Sequence, residues 1–345
     1  MFLQRIFGTV FLLCIFTLPF SLCAMNRDFK GENSGWTWVK DNEIVNDFFS
    51  LIEKKNAIPG LENTGTLCHI NSILQALLSV KLFSKTMKFI KSKDPFIAEF
   101  ASFIKKVSVC KSNYLDSSFQ KFLIKETNLE EKQQQDAAES LRKILDGLFK
   151  GEKNIKRLFT VTWEVKNACS SGHISTATKV SDMILSLGIP LDEKKKHITT
   201  QDLVDYFFQE EYLENVRCEK CLLKIACTKY FKESLPPILV LQPKQFKDGN
   251  ERYVPVKPSL CLRVGAEKYI LAALVMRIAD GDNGHYIALV KDRNEKNWVV
   301  CDDKDVHDGG DMMKTLQQQG FHEVCYDEEF FLSAHPYLLF YVKKG

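Results

Sequence analysis

Charge of one sign is what this 345-residue chain most lacks: 47 lysines and arginines stand against 44 aspartates and glutamates, a net charge of +3. So small an excess, with no basic stripe interleaved with aromatics, gives no electrostatic footprint for nucleic acid. Beyond residue 24 no apolar run is long enough to cross a bilayer, which excludes a bundle of membrane helices. Internal repeats, low-complexity tracts and long Gly/Ser linkers are also missing, so solenoids and strings of small modules are excluded. A disulfide framework is disfavoured too. Two of the 11 cysteines, Cys14 and Cys23, fall in the first 24 residues and leave an odd number, in a chain large enough to hold a core without covalent staples. With 45% apolar and 26% charged residues, the remainder reads as one large globular domain or two small ones.

Against that ordinary background one segment stands out, Gly60-Leu61-Glu62-Asn63-Thr64-Gly65-Thr66-Leu67-Cys68-His69-Ile70-Asn71-Ser72. After Cys68, Ile70, Ile73, Leu74, Leu77 and Leu78 recur at helical spacing, which predicts an amphipathic helix with the thiol at its mouth. The positive end of the helix dipole and its free N–H groups favour a thiolate there. Gly60 and Gly65 permit a tight turn and close approach of a second backbone.

The partners that would make this thiol a nucleophile lie far downstream. Gly284-His285-Tyr286 opens an apolar run at 287–290, and a second run at 298–301 leads into Asp302-Asp303. His285 precedes Asp302 by 17 residues, which suits two adjacent strands joined by a polar turn at 291–297 and sets the acid beside the imidazole. A thiol, a base and an orienting carboxylate are what acyl transfer through a covalent intermediate requires. Asn63, five residues before the thiol, could offer its amide to a developing oxyanion, and Asp303 could assist the oxyanion or the deacylating water.

These motifs resemble those of the ubiquitin-specific proteases. Residues 60–75 resemble the family's Cys box and residues 284–303 its His box. Gln134-Gln135-Asp136-Ala137-Ala138-Glu139 resembles its Gln-Gln-Asp-x-x-Glu motif, Leu235-Pro236-Pro237-Ile238 its proline-led palm strand, and Tyr337-Leu338-Leu339-Phe340-Tyr341 its closing strand. The likeness runs collinearly over about 58–343. It implies an α+β, papain-like cysteine protease with a helical thumb at 58–150, β fingers at 155–235 and an antiparallel β palm at 236–343. It also implies a monomeric thiol isopeptidase that cuts after the C-terminal glycine of ubiquitin, with ubiquitin and ubiquitinated proteins as partners and no cofactor for catalysis. Cys68 would then be the nucleophile, His285 the base, Asp302 its orienter and Asn63 the oxyanion donor. Asp136 and Glu139 would bind the basic tail of the modifier, with Gly284 and Tyr286 lining its path. The bland alternative for both acids is a helix N-terminus, since residues 135–149 read as a helix with its apolar face at Ala138, Leu141, Ile144, Leu145 and Leu148. In the fingers, Cys218-x2-Cys221 has zinc-knuckle spacing and Cys169-x3-His173 offers the second pair of a structural site.

The chain departs from the family at Thr66-Leu67, where Asn-Thr is usual, at His69 in place of an aromatic, and at Gln242-Pro243-Lys244-Gln245-Phe246. Pro243 lacks the N–H a ladder needs, which predicts a sheet edge or a bulge. The remaining expected strands are 238–241, 269–278, 286–290, 298–301 and 338–342, with a flexible turn at 279–283 beside His285 and a solvated loop at Lys194-Lys195-Lys196.

Residues 1–24 read as a signal peptide: Arg5, an apolar stretch at 6–20, then Ser21-Leu22-Cys23-Ala24. The alternative is an uncleaved membrane anchor. Residues 25–57, with Trp36 and Trp38, read as an extension packing on the domain. An export signal on an enzyme whose thiol must stay reduced and whose substrate is cytosolic points to a secreted bacterial effector acting in a host cytosol.

Overall fold

The computed structural model describes residues 58–344 except 111, 131–134, 175–176, 191–197, 231–234, 245–253, 281–282 and 328–329. The chain divides into two units, Met1–Lys55 and Asn56–Gly345, and every described residue belongs to the second. The expected signal or anchor, the 25–57 extension, the Lys194–Lys196 loop and residues 281–282 of the expected 279–283 turn lie outside the described residues, while 279–280 and 283 belong to paired strands rather than to a flexible turn.

The first region begins with a short strand β1 (Gly60–Leu61) and helix α1 (Cys68–Ser79). Helices α2 (Lys81–Phe89) and α3 (Pro95–Val109), strand β2 (Tyr114–Leu115), then helices α4 (Ser118–Thr127), α5 (Ala137–Gly151) and α6 (Lys153–Phe159) follow. Local chemistry sets the helix starts: Asp94 accepts from the N–H groups of Phe96 and Ile97 ahead of Pro95, and Asp136 accepts from Glu139. The core of this region is rich in phenylalanine. Phe83 meets Phe100 and Phe159 edge-on at 5.9 and 5.7 Å, and Phe103 stacks on Phe119 at 4.0 Å.

The fingers are β3 (Val161–Cys169) and β4 (Thr178–Asp182), then, after a return to the palm, β7 (Glu211–Arg217) and β8 (Lys224–Tyr230), in the order β4-β3-β8-β7. The return comprises β5 (Leu185–Leu187), β6 (Ile198–Thr199) and helix α7 (Thr200–Phe207). The expected 155–235 boundary is therefore corrected at two places. Helix α6 buries Ile155 and Phe159 in the helical core, and the 185–207 stretch joins the palm because its apolar residues have a sheet to cover there.

The palm holds β9 (Ile238–Pro243), β10 (Val256–Lys257), β11 (Cys261–Val264), β12 (Glu267–Asp280), β13 (Asn283–Lys291), β14 (Trp298–Asp302), β15 (Asp305–Asp308), helix α8 (Gly310–Gln319), β16 (His322–Asp327) and β17 (Phe330–Lys343). Its main sheet runs β15-β14-β13-β12-β17-β9-β5, antiparallel except for the β5–β9 pair. All five expected strands are present, and several run longer than their apolar cores. The two faces alternate: Ala273, Val275, Ala288 and Val290 enter the core shared with the helices, while Leu274, Met276, Ile287 and Leu289 enter a second core. Burial on both faces explains why these strands read as continuous apolar runs.

Pro243 is not on an edge strand, because β5 lies outside β9. The β9–β17 ladder stops at Leu241, and Lys244 supplies the next N–H, to the Leu187 carbonyl at 2.8 Å, so the missing proline donor costs nothing. The helix α1 differs from expectation as well. Residues Cys68 to Leu77 are all buried, polar ones included: Asn71 bonds to Asp303, Gln120 and the Leu61 carbonyl, and Gln75 to the Pro59 carbonyl.

Candidate active site

Cys68 is the first residue of α1, so its own N–H is among those with no intrahelical acceptor. The β13–β14 hairpin crosses in front of it. His285 Nε2 lies 2.6 Å from Asp302 Oδ1, and the same ring is hydrogen-bonded to Cys68, which leaves Nδ1 as the nitrogen facing the sulfur. The carboxylate lies beside the imidazole, the placement expected from the 17-residue spacing, with the turn between the strands at 292–297, and Cys68 comes to the ring from the helix. Burial works against charge on His285, but the hydrogen bonds and charges of Asp302 and Cys68 outweigh it and raise its pKa to about 10. The raised value favours the protonated ring at neutral pH, the form that pairs with a thiolate and can then give its proton to a leaving group. The neighbouring thiol of Cys301 is fully buried and pushed up to about 12, which makes it inert.

Asn63 is oriented by three bonds. Its Oδ1 accepts from the N–H groups of Gly65 and Leu67, both at 3.0 Å, and its Nδ2 donates to Asp303 Oδ2 at 2.8 Å. One amide hydrogen of Asn63 remains after its bond to Asp303, and with the Cys68 N–H, which has no intrahelical acceptor, it makes a second donor near the start of the helix. The Asp303 carboxylate does not point at bulk water. Its Oδ1 accepts from Asn71 Nδ2 at 2.7 Å, and Asn71 Oδ1 in turn accepts from Gln120 Nε2 at 2.9 Å. Burial raises the pKa of Asp303, partly offset by the two asparagine bonds. Its backbone has φ 49°, and its carbonyl accepts from Leu61 N–H at 2.7 Å. That contact puts β1 so close to the β14–β15 turn that a Cβ on Gly60 would lie 2.1 Å from the Lys304 carbonyl oxygen. Gly60 serves the close approach read from the sequence.

Asn71 and Gln120 were given no role in the sequence reading. Asn71 stands in the motif segment three residues after Cys68, but only its burial shows that it needs partners; Gln120 lies in no motif.

Asp136 has both expected features of a cap and a further bond: its Oδ1 caps α5, and Tyr337 donates its hydroxyl to Oδ2. The ring of Tyr286 lies 5.5 Å from that of Tyr337, and burial raises the pKa of both phenols. Asp136 and Tyr286 therefore sit together where α5 meets the palm. Glu139 faces outward and pairs with Lys143 at 3.2 Å. Gly284 lies on β13 opposite Ala279, where a Cβ would sit tightly, 3.1 Å from the Arg277 Nε and 3.3 Å from the Ile278 carbonyl oxygen.

His69 fills the usual aromatic's place as a neutral ring. It is 1% exposed, burial lowers its pKa to about 4, and neither ring nitrogen has a well-formed hydrogen bond. His335, also buried, is likewise lowered to about 4. In the unfolded chain both rings take up protons near pH 6.5, while in the native state they resist until about 4. Stability is therefore lost as pH falls through that window, by about 2 kcal/mol per ring at pH 5. Urea melts at pH 7.5 and 5.0 should show that loss, and His335→Leu should reduce it; a midpoint unchanged between the two pH values would contradict the neutral buried rings.

At the tip of the fingers Cys169, His173, Cys218 and Cys221 present donor atoms all within 4.8 Å of one another. Cys169 Sγ and Cys218 Sγ lie 3.5 and 3.6 Å from His173 Nδ1, and Cys169 Sγ lies 3.4 Å from Cys221 Sγ. A tetrahedral zinc with ordinary bond lengths spaces a sulfur and a nitrogen about 3.5 Å apart and two sulfurs roughly 3.8 Å apart, so the four donors fit that ion. The backbone N–H groups of Lys220 and Cys221 point at Cys218 Sγ and lower its pKa to about 6, as suits a metal thiolate. Cys68, Cys110, Cys169, Cys218, Cys221, Cys227, Cys261 and Cys301 are free thiols.

Residues 59–341 match the ubiquitin carboxyl-terminal hydrolase family model. Among curated relatives, ubiquitin carboxyl-terminal hydrolase 26 of Oryza sativa subsp. japonica is 26% identical over 84% of this chain, and ubiquitin carboxyl-terminal hydrolase Usp2 of Drosophila melanogaster 25% over 84%. The chain spans 30% and 35% of their lengths. A chain of the SAGA Ubp8/Sgf11/Sus1/Sgf73 DUB module, solved bound to ubiquitin aldehyde, superposes with a TM-score of 0.65 at 20% identity, covering 90% of this chain and 78% of its own. The papain-like thumb, fingers and palm are thereby the fold of this domain, and the chain belongs to the ubiquitin carboxyl-terminal hydrolase family.

Proposed function

We propose that this protein is a cysteine deubiquitinase that hydrolyses the bond after the C-terminal glycine of ubiquitin. The observation that carries the reading is the meeting of Cys68, from the helical region, with the His285–Asp302 pair of the palm. The thiolate of Cys68 attacks the scissile carbonyl, and its oxyanion is received by the Asn63 amide and the Cys68 N–H. His285 protonates the departing amine and then takes a proton from the water that releases ubiquitin, while Asp302 holds the ring. Asp136 and Tyr286, at the junction of α5 and the palm, line the approach of the modifier's basic tail, and Glu139 adds a carboxylate at the rim. A panel of ubiquitin and ubiquitin-like C-terminal fluorogenic substrates tests the reading: turnover of ubiquitin is expected, and binding without turnover would reduce the protein to a ubiquitin-binding module.

Zinc in the fingers is part of the same proposal. Cys169, His173, Cys218 and Cys221 would hold it, and the ion would supply folding energy without chemistry. About one zinc per chain is expected by elemental analysis of untagged protein. Cys218→Ser is expected to lose it and to lower the Tm by several degrees; a clearly substoichiometric content would remove zinc from the account.

We also propose that the 1–24 segment directs export and that the enzyme works in a host cytosol, where Cys68 stays reduced. Fractionation of the producing cell and an infected host tests this. Retention in the producer's membrane would support the anchor reading instead.

A further inference from the structure

The far end of the nucleophile helix holds a cavity of about 320 Å³ that the proposed chemistry does not use. It lies among the C-terminal ends of α1 and α3, the body of α2 and the turn after β13. Leu78, in its wall, is ten residues along α1 from Cys68, or about 15 Å, so the cavity is separate from the active site. Ile58, Leu78, Ile104 and Val107 give it an apolar lining. Around that lining stand five cations, Lys81, Lys85, Lys88, Lys291 and Arg293, and one acid, Asp292.

The cations are not equivalent. Lys81 pairs with Glu295 at 3.1 Å, Arg293 donates to the Val107 carbonyl at 3.0 Å, and Lys291 lies 4.3 Å over the Trp298 ring. These three build the wall. Lys85 and Lys88 have no ion-pair partner among the described residues, and they lie on successive turns of α2 facing the same space. The imbalance is local: residues 81–109 carry seven lysines against two acids in a chain whose net charge is only +3. Next in the chain to the lining residues Lys88 and Ser108 stand Phe89 and Val109, 82% and 76% exposed. An apolar lining with two unpaired cations beside it is complementary to a molecule that has an apolar tail and an anionic head. The volume, at the lower end for ligand pockets, suits one short chain.

We propose that this cavity binds a single-chain anionic amphiphile, an acyl or alkyl chain ending in a phosphate or carboxylate. The chain lies against Leu78, Ile104 and Val107, and the head pairs with Lys85 and Lys88. Calorimetric titration of the full-length protein with dodecyl phosphate and with laurate, both below their micellar concentrations, tests this. Dodecyl alcohol and inorganic phosphate serve as the tail-only and head-only probes. Saturable one-to-one binding of an anionic chain is expected, and whichever head binds tighter identifies the source as a phosphate ester or a fatty acid. Lys85→Glu combined with Lys88→Glu should weaken it at least tenfold, and Ser108→Trp, which fills the mouth from a helix surface, should abolish it. Both variants should keep their turnover of the ubiquitin substrate, which shows that they fold. Equal affinity for the alcohol, equal affinity for free phosphate, or unchanged binding in both variants would each overturn the proposal.

Discussion

Cys68→Ala is expected to reduce turnover of a ubiquitin C-terminal substrate by on the order of 10⁴-fold or more and to abolish covalent labelling by a ubiquitin C-terminal electrophile. The reason is chemical. The covalent intermediate needs a sulfur at the mouth of α1, and no other described thiol can replace it. Cys301, next to Asp302, is fully buried and held in its thiol form. The substitution removes one sulfur from a position already buried in a helix, and alanine is the best helix former, so the fold survives and an inactive variant can be read as lost chemistry. Ubiquitin itself should still bind. Asp302→Ala is expected to weaken labelling without abolishing it, because the Cys68–His285 contact survives while the ring loses its orienting bond at 2.6 Å and much of the charge that raises its pKa. With that pKa lowered, His285 gives up its proton at lower pH, and the alkaline limit of activity should shift toward neutrality. Full labelling of Cys68→Ala would contradict the assignment of the nucleophile outright.

The parts of this molecule that could be read in advance are those where one physical pattern dominates. The β13–β14 hairpin announced itself because two apolar runs flank a polar turn, and the separation of His285 from Asp302 then followed from strand geometry. The helix α1 was legible as a helix from Ile70, Ile73, Leu74 and Leu77, but not as a helix buried on nearly all sides. Periodicity reports where the apolar residues lie, and it cannot reveal that Asn71 and Gln75 are buried by bonding to Asp303 and to the Pro59 carbonyl. The interruption of the fingers by β5 and α7 was illegible for a similar reason. Which sheet a three-residue strand such as Leu185–Leu187 joins is decided by a partner more than fifty residues away. The zinc-type cluster lies between these cases. The Cys218–Cys221 pair was plain from spacing, whereas Cys169 and His173 became a matching pair only when the turn closed by the Cys169 N–H bond to the His173 carbonyl, at 3.0 Å, brought both side chains to one side.

Asp303→Ala is expected to cost about 10² in kcat with little change in KM, although Asp303 touches neither the sulfur nor the imidazole nitrogen bonded to Asp302. Its two carboxylate oxygens have separate duties: Oδ2 takes the Asn63 amide and Oδ1 the Asn71 amide. Without it, the Asn63 amide is held only by the two loop bonds to its oxygen, so the donor is aimed less firmly and the bonds that remain must fix the whole amide plane. Asn71 loses its shortest and only charged acceptor and keeps the longer bonds to the Leu61 and Glu62 carbonyls at 3.3 and 3.4 Å, which should also lower stability by about 1 kcal/mol. Asp303→Asn separates the two effects. An amide of the same shape has one acceptor, so it can serve Asn63 or Asn71 but must turn an NH2 toward the other donor, and an intermediate loss of kcat is the expected result. Because the effect lies in the transition state, binding of ubiquitin aldehyde, whose adduct carries the tetrahedral oxygen, should weaken along with kcat, whereas binding of ubiquitin itself should not. A wild-type kcat in Asp303→Ala would show that Asn63 is held by its loop alone and that the Gln120–Asn71–Asp303 chain serves only to pin the helix α1 to the palm.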